Sequence, residues 1–389
     1  MRILSISTLF PCPGRPQFGI FVANQMKAVA KLEGIDLTMV NPIGIPPWPL
    51  SLREPYASLG RVAGESDCDG LAVHHRRFTA IPAFGVDSNP AHIARAVLPE
   101  IERLHARNPF DLVDAQFFFP DGPAAAIVAR ALDLPLSIKA RGADIHYWGE
   151  RPRARRQIVD AARQAAGMLA VSEALRADMA ALGLAGERIS LHYTGLDHDR
   201  FRPIDRSAAR AALALPTDGA LLVSTGALIP RKGQRFVIEA LPAIAGARLA
   251  LAGGGADEAR LRALAADLGV ADRVHFLGIV GHADLPGLLA AADAMVLPSA
   301  SEGLANAWVE ALACGTPLVI TDSGGAREVV RDETAGRIAA RDSAAIAAAV
   351  RALLADPPSQ QAVAANAERF SWDANAAALV NYWRGLVET

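Results

Sequence analysis

The sequence predicts an α/β protein of two domains, each built on a doubly wound parallel sheet, that face a cleft. Three observations predict this class. The chain has 389 residues, enough for two or three domains with cores of their own. β-rich runs alternate with helical stretches, as in parallel sheets with helical crossovers. The alternation occurs twice, before and after a polar, Pro-containing segment at residues 195–210.

The first series of elements predicts the N-terminal domain, residues 1–199. A short β-rich run is followed by a Pro- and Gly-containing loop at 11–19 and then by a helical stretch. The predicted strands are 3–7, 37–40, 71–76, 112–115 and 136–140, and the predicted helices include 20–32, 92–107 and 123–131.

The second series predicts the C-terminal domain, residues 200–371. Helices separate most of its strands, and the alanine-rich segment 335–367 keeps helical periodicity, so we expect packed helices there. The predicted strands are 220–224, 248–252, 274–276, 294–298 and 318–321.

The composition excludes several classes of protein. Hydrophobic residues make up 51% of the chain and charged residues 21%, which argues against disorder, collagen and coiled coil. A net charge of −2 does not suit strong non-specific nucleic-acid binding. Three scattered cysteines indicate a reducing compartment. No apolar run reaches the roughly 18–20 residues of a membrane span, and the first residues are typical of a strand rather than a signal peptide, so we expect a cytoplasmic protein.

A glycine and two cations follow the first strand of the second series. Gly226, after LLVST, lets a ligand approach the backbone, and Arg231 and Lys232 follow within GALIPRKG. Such a pair of cations could stabilise a departing diphosphate. For this segment alone, a solvated basic turn is the alternative interpretation.

Two glutamates mark a second turn of this kind. Glu302 and Gly303 follow the strand at 294–298, and Glu310 lies in a helix predicted at 305–314. Loop N–H groups and a helix N-terminus suit an anion, whereas carboxylates beside them suit the hydroxyls of a sugar and a ribose. A surface position is the alternative for Glu310. The GGG at 253–255 stays open between a structural turn and a binding turn.

These segments resemble glycosyltransferase family 4. The likeness is carried by GALIPRKG, by FLGIV at 276–280, by SEGLANAWVEALACGTPLV with its two glutamates, and by GG-x-x-E at 324–328. It continues through FGIFVANQMKAVA at 18–30, RGADIH at 141–146, VSEALRADM at 171–179 and TGLD at 194–197. The resemblance implies the GT-B fold, in which two Rossmann-like domains face a cleft and a last helix, here 372–389, returns to the N-terminal domain.

The resemblance also implies an activity. We expect a metal-independent, retaining hexosyltransferase that moves a sugar from a UDP- or GDP-sugar to a hydroxyl of a glycan or lipid-linked acceptor, in polysaccharide or glycolipid biosynthesis. Neither a cofactor nor a metal ion is expected. The departing phosphate oxygen would take the proton of the acceptor, so neither glutamate acts as a covalent nucleophile.

The resemblance assigns roles to individual residues. Arg231 and Lys232 would bind the diphosphate, Glu302 the hydroxyls of the transferred sugar, and Glu310 those of the ribose. Gly19 would close against the donor from the other domain. Further donor contacts are implied for Gly226, Val280, Gly303, Leu304, Ala305 and Asn306.

The sequence departs from the family pattern at two places. Arg141 stands where the family often has a histidine, and a permanent cation cannot shuttle a proton. We still expect Arg141 and Asp144 in the cleft, with His146 as a candidate substitute for the histidine. EGLAN replaces the commoner EGFG, which leaves the sugar specificity open.

Other charged segments have simpler interpretations. The D-x-D strings at 67–69 and 197–199 are predicted to form turns rather than metal sites. His74 and His75 would point to opposite faces of a strand. The basic run 151–156 is typical of a solvated face, although an anionic membrane or lipid diphosphate is a candidate partner.

Two other functions stay open on the sequence alone. One is a GT-B epimerase that acts on the nucleotide sugar itself, and the other is a non-catalytic protein that binds a sugar nucleotide. The base, the sugar, the acceptor and the oligomeric state are not determined by the sequence.

Overall fold

The computed structural model describes residues 1–81, 83–281 and 283–388. The chain forms two compact units, which we call the N-terminal unit (residues 1–195 and 372–389, of which Thr389 lies outside the described residues) and the C-terminal unit (residues 196–371). The chain passes from one unit to the other within the polar segment 195–210, where the sequence predicts a linker.

The N-terminal unit contains an eight-stranded sheet with the order β3-β4-β2-β1-β5-β6-β7-β8. All its pairings are parallel except that of β3 with β4. The strands are β1 (Arg2–Ile6), β2 (Asp36–Ile45), β3 (Glu65–Cys68), β4 (Leu71–Thr79), β5 (Leu112–Ala115), β6 (Leu136–Ala140), β7 (Gly167–Ala170) and β8 (Ile189–Leu191).

Helices cover this sheet. They are α1 (Ile20–Ala30), α2 (Tyr56–Leu59), α3 (Asn89–Arg107), α4 (Asp121–Leu132), α5 (Ala143–His146), α6 (Pro152–Gln164) and α7 (Glu173–Ala181). The three helices predicted between strands here correspond to α1, α3 and α4.

The C-terminal unit contains a six-stranded parallel sheet with the order β11-β10-β9-β12-β13-β14. Its strands are β9 (Leu221–Thr225), β10 (Arg248–Ala252), β11 (Val274–Gly278), β12 (Ala294–Leu297), β13 (Leu318–Thr321) and β14 (Gly336–Ala339). Because β10 and β12 flank β9 on opposite sides, the strand order reverses between β9 and β12. Ligands of open α/β sheets bind at the carboxyl ends of the strands at such a switch point.

The helices of the C-terminal unit are short. They are α8 (Arg206–Ala212), α9 (Gln234–Ala240), α10 (Glu258–Asp267), α11 (Leu285–Ala291), α12 (Asn306–Ala313), α13 (Ala326–Val329), α14 (Ser343–Ala355) and α15 (Gln360–Ala365). The prediction of helices alone at 335–367 is wrong at its start, because β14 pairs with β13 there.

Short 3₁₀ turns connect several of these elements. They span Leu50–Leu52, Ala83–Ser88, Gly186–Arg188, Pro230–Lys232, Leu241–Ala243 and Ala271–Arg273.

The last helix, α16 (Trp372–Val387), belongs to the N-terminal unit. Leu379, Val380 and Trp383 are buried against a cluster that includes Val22 and Met26 of α1. Burial of such side chains contributes roughly 1.5–3 kcal/mol each, which holds the end of the chain on this unit. No helix among the described residues combines the length and the apolarity needed to span a bilayer.

Candidate active site

The loop after β9 carries the first part of the candidate site. Gly226 has a φ of 128°, and the turn of Arg231 and Lys232 ends at Gly233, whose φ is 75°. A Cβ on Gly233 would lie 2.3 Å from the carbonyl oxygen of Pro298, so only glycine lets this loop lie against the end of β12. The backbone of the two loops is also joined directly, since Ala300 N–H donates to the Arg231 carbonyl at 2.8 Å.

The loop after β12 brings a carboxylate to these cations. Lys232 Nζ lies 2.5 Å from Glu302 Oε1, and Arg231 Nη1 lies 3.6 Å from the same oxygen. The side chains of Lys232 and Glu302 are only 14% and 9% exposed, so solvent screens their ion pair little. The structure therefore brings together three of the predicted site residues at the switch point of the sheet.

The backbone beside Glu302 is held by the Gly-Gly pair after β13. Gly325 N–H donates to the Gly303 carbonyl at 2.8 Å, and a Cβ on Gly324 would lie 2.1 Å from the Glu302 carbonyl oxygen. Gly324 has a φ of 53°, a conformation that favours glycine. The GG-x-x-E motif thus shapes the peptide that carries Glu302.

Buried backbone leads from this loop into α12. Leu304 and Ala305 are buried, and α12 begins at Asn306 without a side-chain cap or an acidic residue in its first turn. The first N–H groups of a helix have no partner within the helix, and its positive end favours an anion. This is the arrangement that the sequence analysis expects around residues 303–306.

Glu310 lies about one turn along α12. Burial raises the pKa of its half-buried carboxyl to about 7, and the charge of Arg200 opposes this rise. Among the described residues, none donates a hydrogen bond to this carboxylate. Glu310 is therefore not an ordinary surface glutamate, and it is available to a ligand with hydroxyl groups.

The remaining donor-side predictions lie on the other half of this sheet. Val280 is half-buried and follows β11, the edge strand, which β10 separates from β9. In the GGG turn, a Cβ on Gly253 would lie 1.9 Å from the Gly226 carbonyl oxygen, and one on Gly255 would lie 2.2 Å from that of Leu228. These contacts favour the structural interpretation of this turn, because its glycines pack against the loop that carries Gly226.

Arg341, which the sequence analysis did not single out, joins the two loops of the site. Its Nε donates to the Pro298 carbonyl at 2.9 Å, and its Nη2 donates to the carbonyls of Pro230 and Arg231 at 2.9 and 3.2 Å. Its guanidinium lies 4.9 Å from the ring centroid of Phe236. The only sequence signal was an arginine in the polar turn after β14, and nothing in that signal shows which carbonyls it reaches.

Replacing Arg341 with methionine or lysine is expected to weaken binding of a nucleoside diphosphate by about tenfold and to leave binding of the bare nucleoside unchanged. The reason is that hydrogen bonds from a charged group contribute about 1.5–3 kcal/mol and here fix the Arg231–Lys232 turn. Calorimetric titration with the nucleoside diphosphate and with the nucleoside measures the two affinities separately. Arg337→Met is the matched control, since the bonds of Arg337 within the described part of the chain go to the nearby Glu333 and Gly336. Equal losses for both ligands would show general disruption instead.

Arg141 and Asp144 lie together after β6 in the N-terminal unit. The Arg141 side chain donates from Nε to the Gln116 carbonyl at 2.7 Å and from Nη2 to Gln116 Oε1 at 2.5 Å and Gln25 Oε1 at 3.2 Å. Burial lowers the pKa of Arg141 to about 10, so its guanidinium stays charged at neutral pH. Buried side chains therefore hold this cation in one orientation.

The carboxylate of Asp144 is not exposed to a substrate, because it is buried and already accepts hydrogen bonds from the backbone. Its fully buried carboxylate accepts hydrogen bonds from the backbone N–H groups of Phe118, Arg141 and Gly142 at 2.8–3.1 Å. Burial raises its pKa, and these N–H groups counteract the rise. In the structure Asp144 shapes the turn that presents Arg141.

The structure gives two further predicted residues, Gly19 and His146, roles within the N-terminal unit. Gly19 has a φ of 71° at the start of α1, and a Cβ there would lie 2.4 Å from the Leu9 carbonyl, so packing of the loop requires glycine. His146 Nε2 lies 2.9 Å from Asp178 Oδ2, which occupies the proposed substitute for the family histidine.

The D-x-D string at 197–199 forms a turn, as predicted, whereas the string at 67–69 begins in β3 and only its last residue, Asp69, lies in the turn before β4. Asp67 accepts from the Gly70 N–H at 2.9 Å, and Asp197 accepts from the N–H groups of Asp199 and Arg200 at 3.1 and 3.2 Å. These are local side-chain-to-backbone bonds that stabilise reversal of the chain.

His74 and His75 point to opposite faces of β4, as predicted. His75 lies beside Asn41 and Ser66, whereas His74 Nδ1 lies 3.4 Å from Glu65 and 3.5 Å from Glu100. Glu65, His74 and Glu100 could together hold a metal ion. Two arginines, Arg76 and Arg103, already pair with Glu100 at 3.0 and 2.6 Å, so a cluster of ion pairs describes this group better.

Comparison with known proteins identifies the family. Residues 18–200 match the profile described as Glycosyltransferase Family 4, and residues 205–370 match Glycosyl transferases group 1. D-inositol 3-phosphate glycosyltransferase 1 of Catenulispora acidiphila is 31% identical over 354 residues, which cover 82% of this chain and 82% of that protein. The D-inositol 3-phosphate glycosyltransferase of Mycobacterium tuberculosis is 38% identical over 212 residues, 51% of this chain and 44% of that protein.

Solved structures share the fold. Sucrose-phosphate synthase from Thermosynechococcus elongatus has a TM-score of 0.81 at 20% identity, with 99% of both chains covered. Anabaena HepE in complex with UDP-glucose has a TM-score of 0.76 at 21% identity, with 99% of this chain and 100% of that one covered. The two Rossmann-like units thus have the GT-B fold, as predicted. The chain belongs to glycosyltransferase family 4.

Proposed function

We propose that this glycosyltransferase moves a hexose from a nucleotide-diphosphate sugar to a hydroxyl of a glycan or lipid-linked acceptor, with retention and without a metal ion. The observation that carries the proposal is the group of Arg231, Lys232 and Glu302 at the switch point between β9 and β12. Complexes of HepE with UDP and with UDP-glucose support a nucleotide-sugar donor. UDP and GDP both remain candidates for this chain.

In the proposed mechanism, the ion pair of Lys232 and Glu302 exchanges partners when the donor binds. Lys232 turns to the diphosphate and Glu302 accepts hydrogen bonds from sugar hydroxyls. Each buried charge then keeps a partner, which avoids the cost of an unpaired buried ion. Arg231, already beside the same carboxylate, supplies the second cation for the diphosphate.

The chemical step then needs no carboxylate nucleophile. The bond from the anomeric carbon to the phosphate oxygen breaks as the acceptor oxygen bonds to the same face of that carbon. The acceptor proton passes to the departing phosphate oxygen, and Arg231 and Lys232 stabilise the negative charge that develops there.

The N-terminal unit is proposed to bind the acceptor, with Arg141 as a fixed cation for its hydroxyls or for an anionic group. Four arginines of the basic run, at 151, 153, 155 and 156, are exposed along the start of α6. Each could contribute about 1 kcal/mol at an anionic membrane surface. We propose a cytoplasmic enzyme that rests on such a surface, in polysaccharide or glycolipid assembly.

A donor screen followed by a transfer assay tests this function. The donor that raises the melting temperature most at equal concentration is the tightest-binding one. It is then incubated with glycan and lipid-linked acceptors with and without EDTA, and NMR determines the anomeric configuration of the product. We expect a retained configuration and full activity in EDTA. An inverted product would overturn the retaining mechanism, and a divalent-metal requirement would overturn metal independence. An epimerised donor without acceptor would indicate the epimerase, and tight binding without turnover the non-catalytic protein.

The donor KM is expected to fall about tenfold as pH rises through about 7, because the Glu310 carboxylate accepts stronger hydrogen bonds from ribose hydroxyls than the protonated acid does. In Glu310→Gln the KM should be high and constant over this range. Donor binding thus improves as pH rises, whereas the contribution of Glu310 to the free energy of unfolding changes in the opposite direction. The folded chain binds a proton that the unfolded chain releases between the ordinary carboxyl pKa and about 7, so this contribution is lost as pH rises. A KM with the same pH profile in both proteins would remove Glu310 from the donor site.

A further inference from the structure

A pocket of about 250 Å³ in the N-terminal unit lies outside the site described above, and the loop before Gly19 forms part of its lining. It lies where β1, β2 and β4 end. Its lining is mainly apolar, with the aromatic residues Phe10, Phe18, Tyr56 and Phe78 and the aliphatic residues Ile43 and Leu59. Pockets with this kind of lining bind small molecules, and this volume suits part of a ligand.

Two of the polar groups that line the pocket, the Asn41 side chain and the Thr8 N–H, already have partners. Asn41 donates from Nδ2 to the Ser7 carbonyl at 2.8 Å, and its Oδ1 lies 3.0 Å from His75 Nδ1. The Thr8 N–H donates to Asp121 at 2.8 Å. A sugar ring would bury hydroxyls that need partners of their own. The lining therefore favours an apolar group over a sugar.

Arg15 adds one positive charge to this lining. It is half-buried, its guanidinium lies 5.6 Å from the Phe18 ring centroid, and among the described residues it has no carboxylate partner. A guanidinium matches the geometry of phosphate and binds it through paired N–H groups. The pocket thus combines an apolar volume with a cation that suits a phosphate.

A separate observation points to the same kind of ligand. The segment between β2 and α2 exposes Trp48 and Leu52, whose relative exposures are 78% and 69%. This segment leads directly into Tyr56 of the pocket. Large exposed apolar side chains next to a pocket mark contact with an apolar partner, and tryptophan is enriched at membrane interfaces.

We propose that this pocket binds the hydrocarbon chain of a phosphate-bearing amphiphile, with the phosphate on Arg15. The inference rests on the proposed function and names the lipid that carries its acceptor glycan as an alkyl or isoprenoid phosphate or diphosphate. A free sugar phosphate shares the anion but has no hydrocarbon chain, so the two sources can be separated by experiment.

Calorimetric titration of the full chain with octyl phosphate, octanol and inorganic phosphate tests the proposal. We expect octyl phosphate to bind at least tenfold more tightly than either other probe. Arg15→Gln should weaken octyl phosphate by about tenfold and leave octanol unchanged, because a charged hydrogen bond is lost and the apolar contact is kept. Phe18→Ser, at an exposed ring, should weaken both octyl probes. Arg53→Gln, in the exposed segment before α2, should change neither.

Three results would overturn the proposal. They are an affinity for inorganic phosphate equal to that for octyl phosphate, normal binding of octyl phosphate by Arg15→Gln, and a loss of affinity in Arg53→Gln as large as that in Arg15→Gln. Titration of each variant with UDP and GDP reports the fold of the protein and the donor site independently. Normal octyl phosphate binding by a chain that transfers no sugar would overturn the proposed function alone. Active transfer to soluble acceptors without octyl phosphate binding would overturn this inference alone.

Discussion

Replacing Lys232 with alanine is expected to lower kcat for sugar transfer by about 10²–10³-fold. The ammonium lies 2.5 Å from Glu302 at the switch point of the C-terminal sheet, where a departing diphosphate would develop its charge. Loss of one preorganised contact to such charge costs about 2.7–4 kcal/mol in the transition state. Steady-state kinetics at saturating donor and acceptor measures the effect. Near-normal turnover would remove Lys232 from the site.

A double variant separates catalysis from the ion pair. If alanine acted only by leaving Glu302 unpaired, Lys232→Ala combined with Glu302→Gln would have the same activity as the single variant Glu302→Gln. We expect the double variant to be less active than Glu302→Gln, because the departing diphosphate would still lack its cation. Arg262→Ala is the control for loss of a surface arginine, since Arg262 pairs with Glu258 along α10. Its kcat should equal that of the unmodified protein.

Replacing Asp144 with alanine is expected to lower the stability of the N-terminal unit by about 3–5 kcal/mol. The substitution leaves three buried N–H groups, those of Phe118, Arg141 and Gly142, without their acceptor. A buried unsatisfied group costs about 1–3 kcal/mol. Hydrogen exchange followed by mass spectrometry should show faster exchange at 117–146 and unchanged exchange in the C-terminal unit.

Two variants of Asp144 together distinguish a structural role in the turn from direct contact with the substrate. Asp144→Asn keeps the shape but one of its two oxygens becomes a donor, so we expect a loss of stability between that of the unmodified protein and that of alanine. Nucleotide binding by the C-terminal unit should survive in both variants. If Asp144→Ala lost sugar transfer while its exchange at 117–146 stayed normal, Asp144 would act on substrate directly and not through the turn.

The alternation of strands and helices could be predicted because buried parallel strands are almost wholly apolar. LLVST, AMVL and LVIT are such runs, and each became a fully buried strand. The strands ESDC, GMLA, ISL and GRIA were missed, because an initial glycine or a polar residue interrupts each of these runs of three or four residues. β2 extends through Pro42 and Gly44, residues that normally indicate a turn.

The candidate site also contains some residues that the sequence could indicate and others that it could not. The glycine-containing loops after the buried strands β9 and β12 carry local signals, so Gly226, Arg231, Lys232 and Glu302 could be named from the sequence. The carbonyls that Arg341 reaches lie 43 to 111 residues away in the chain, and no local pattern encodes such contacts. The backbone bonds that occupy Asp144 depend equally on tertiary structure.

Hydrophobic periodicity and local turn chemistry are enough to predict the class of fold, the alternation of its main elements and the residue types at the ends of the strands. They do not show that Lys232 and Arg231 share one buried carboxylate, that Arg341 joins their loops, or that Arg15 lies in an apolar pocket. These arrangements depend on which strand ends become neighbours, because the strand order of a sheet is set by long-range packing.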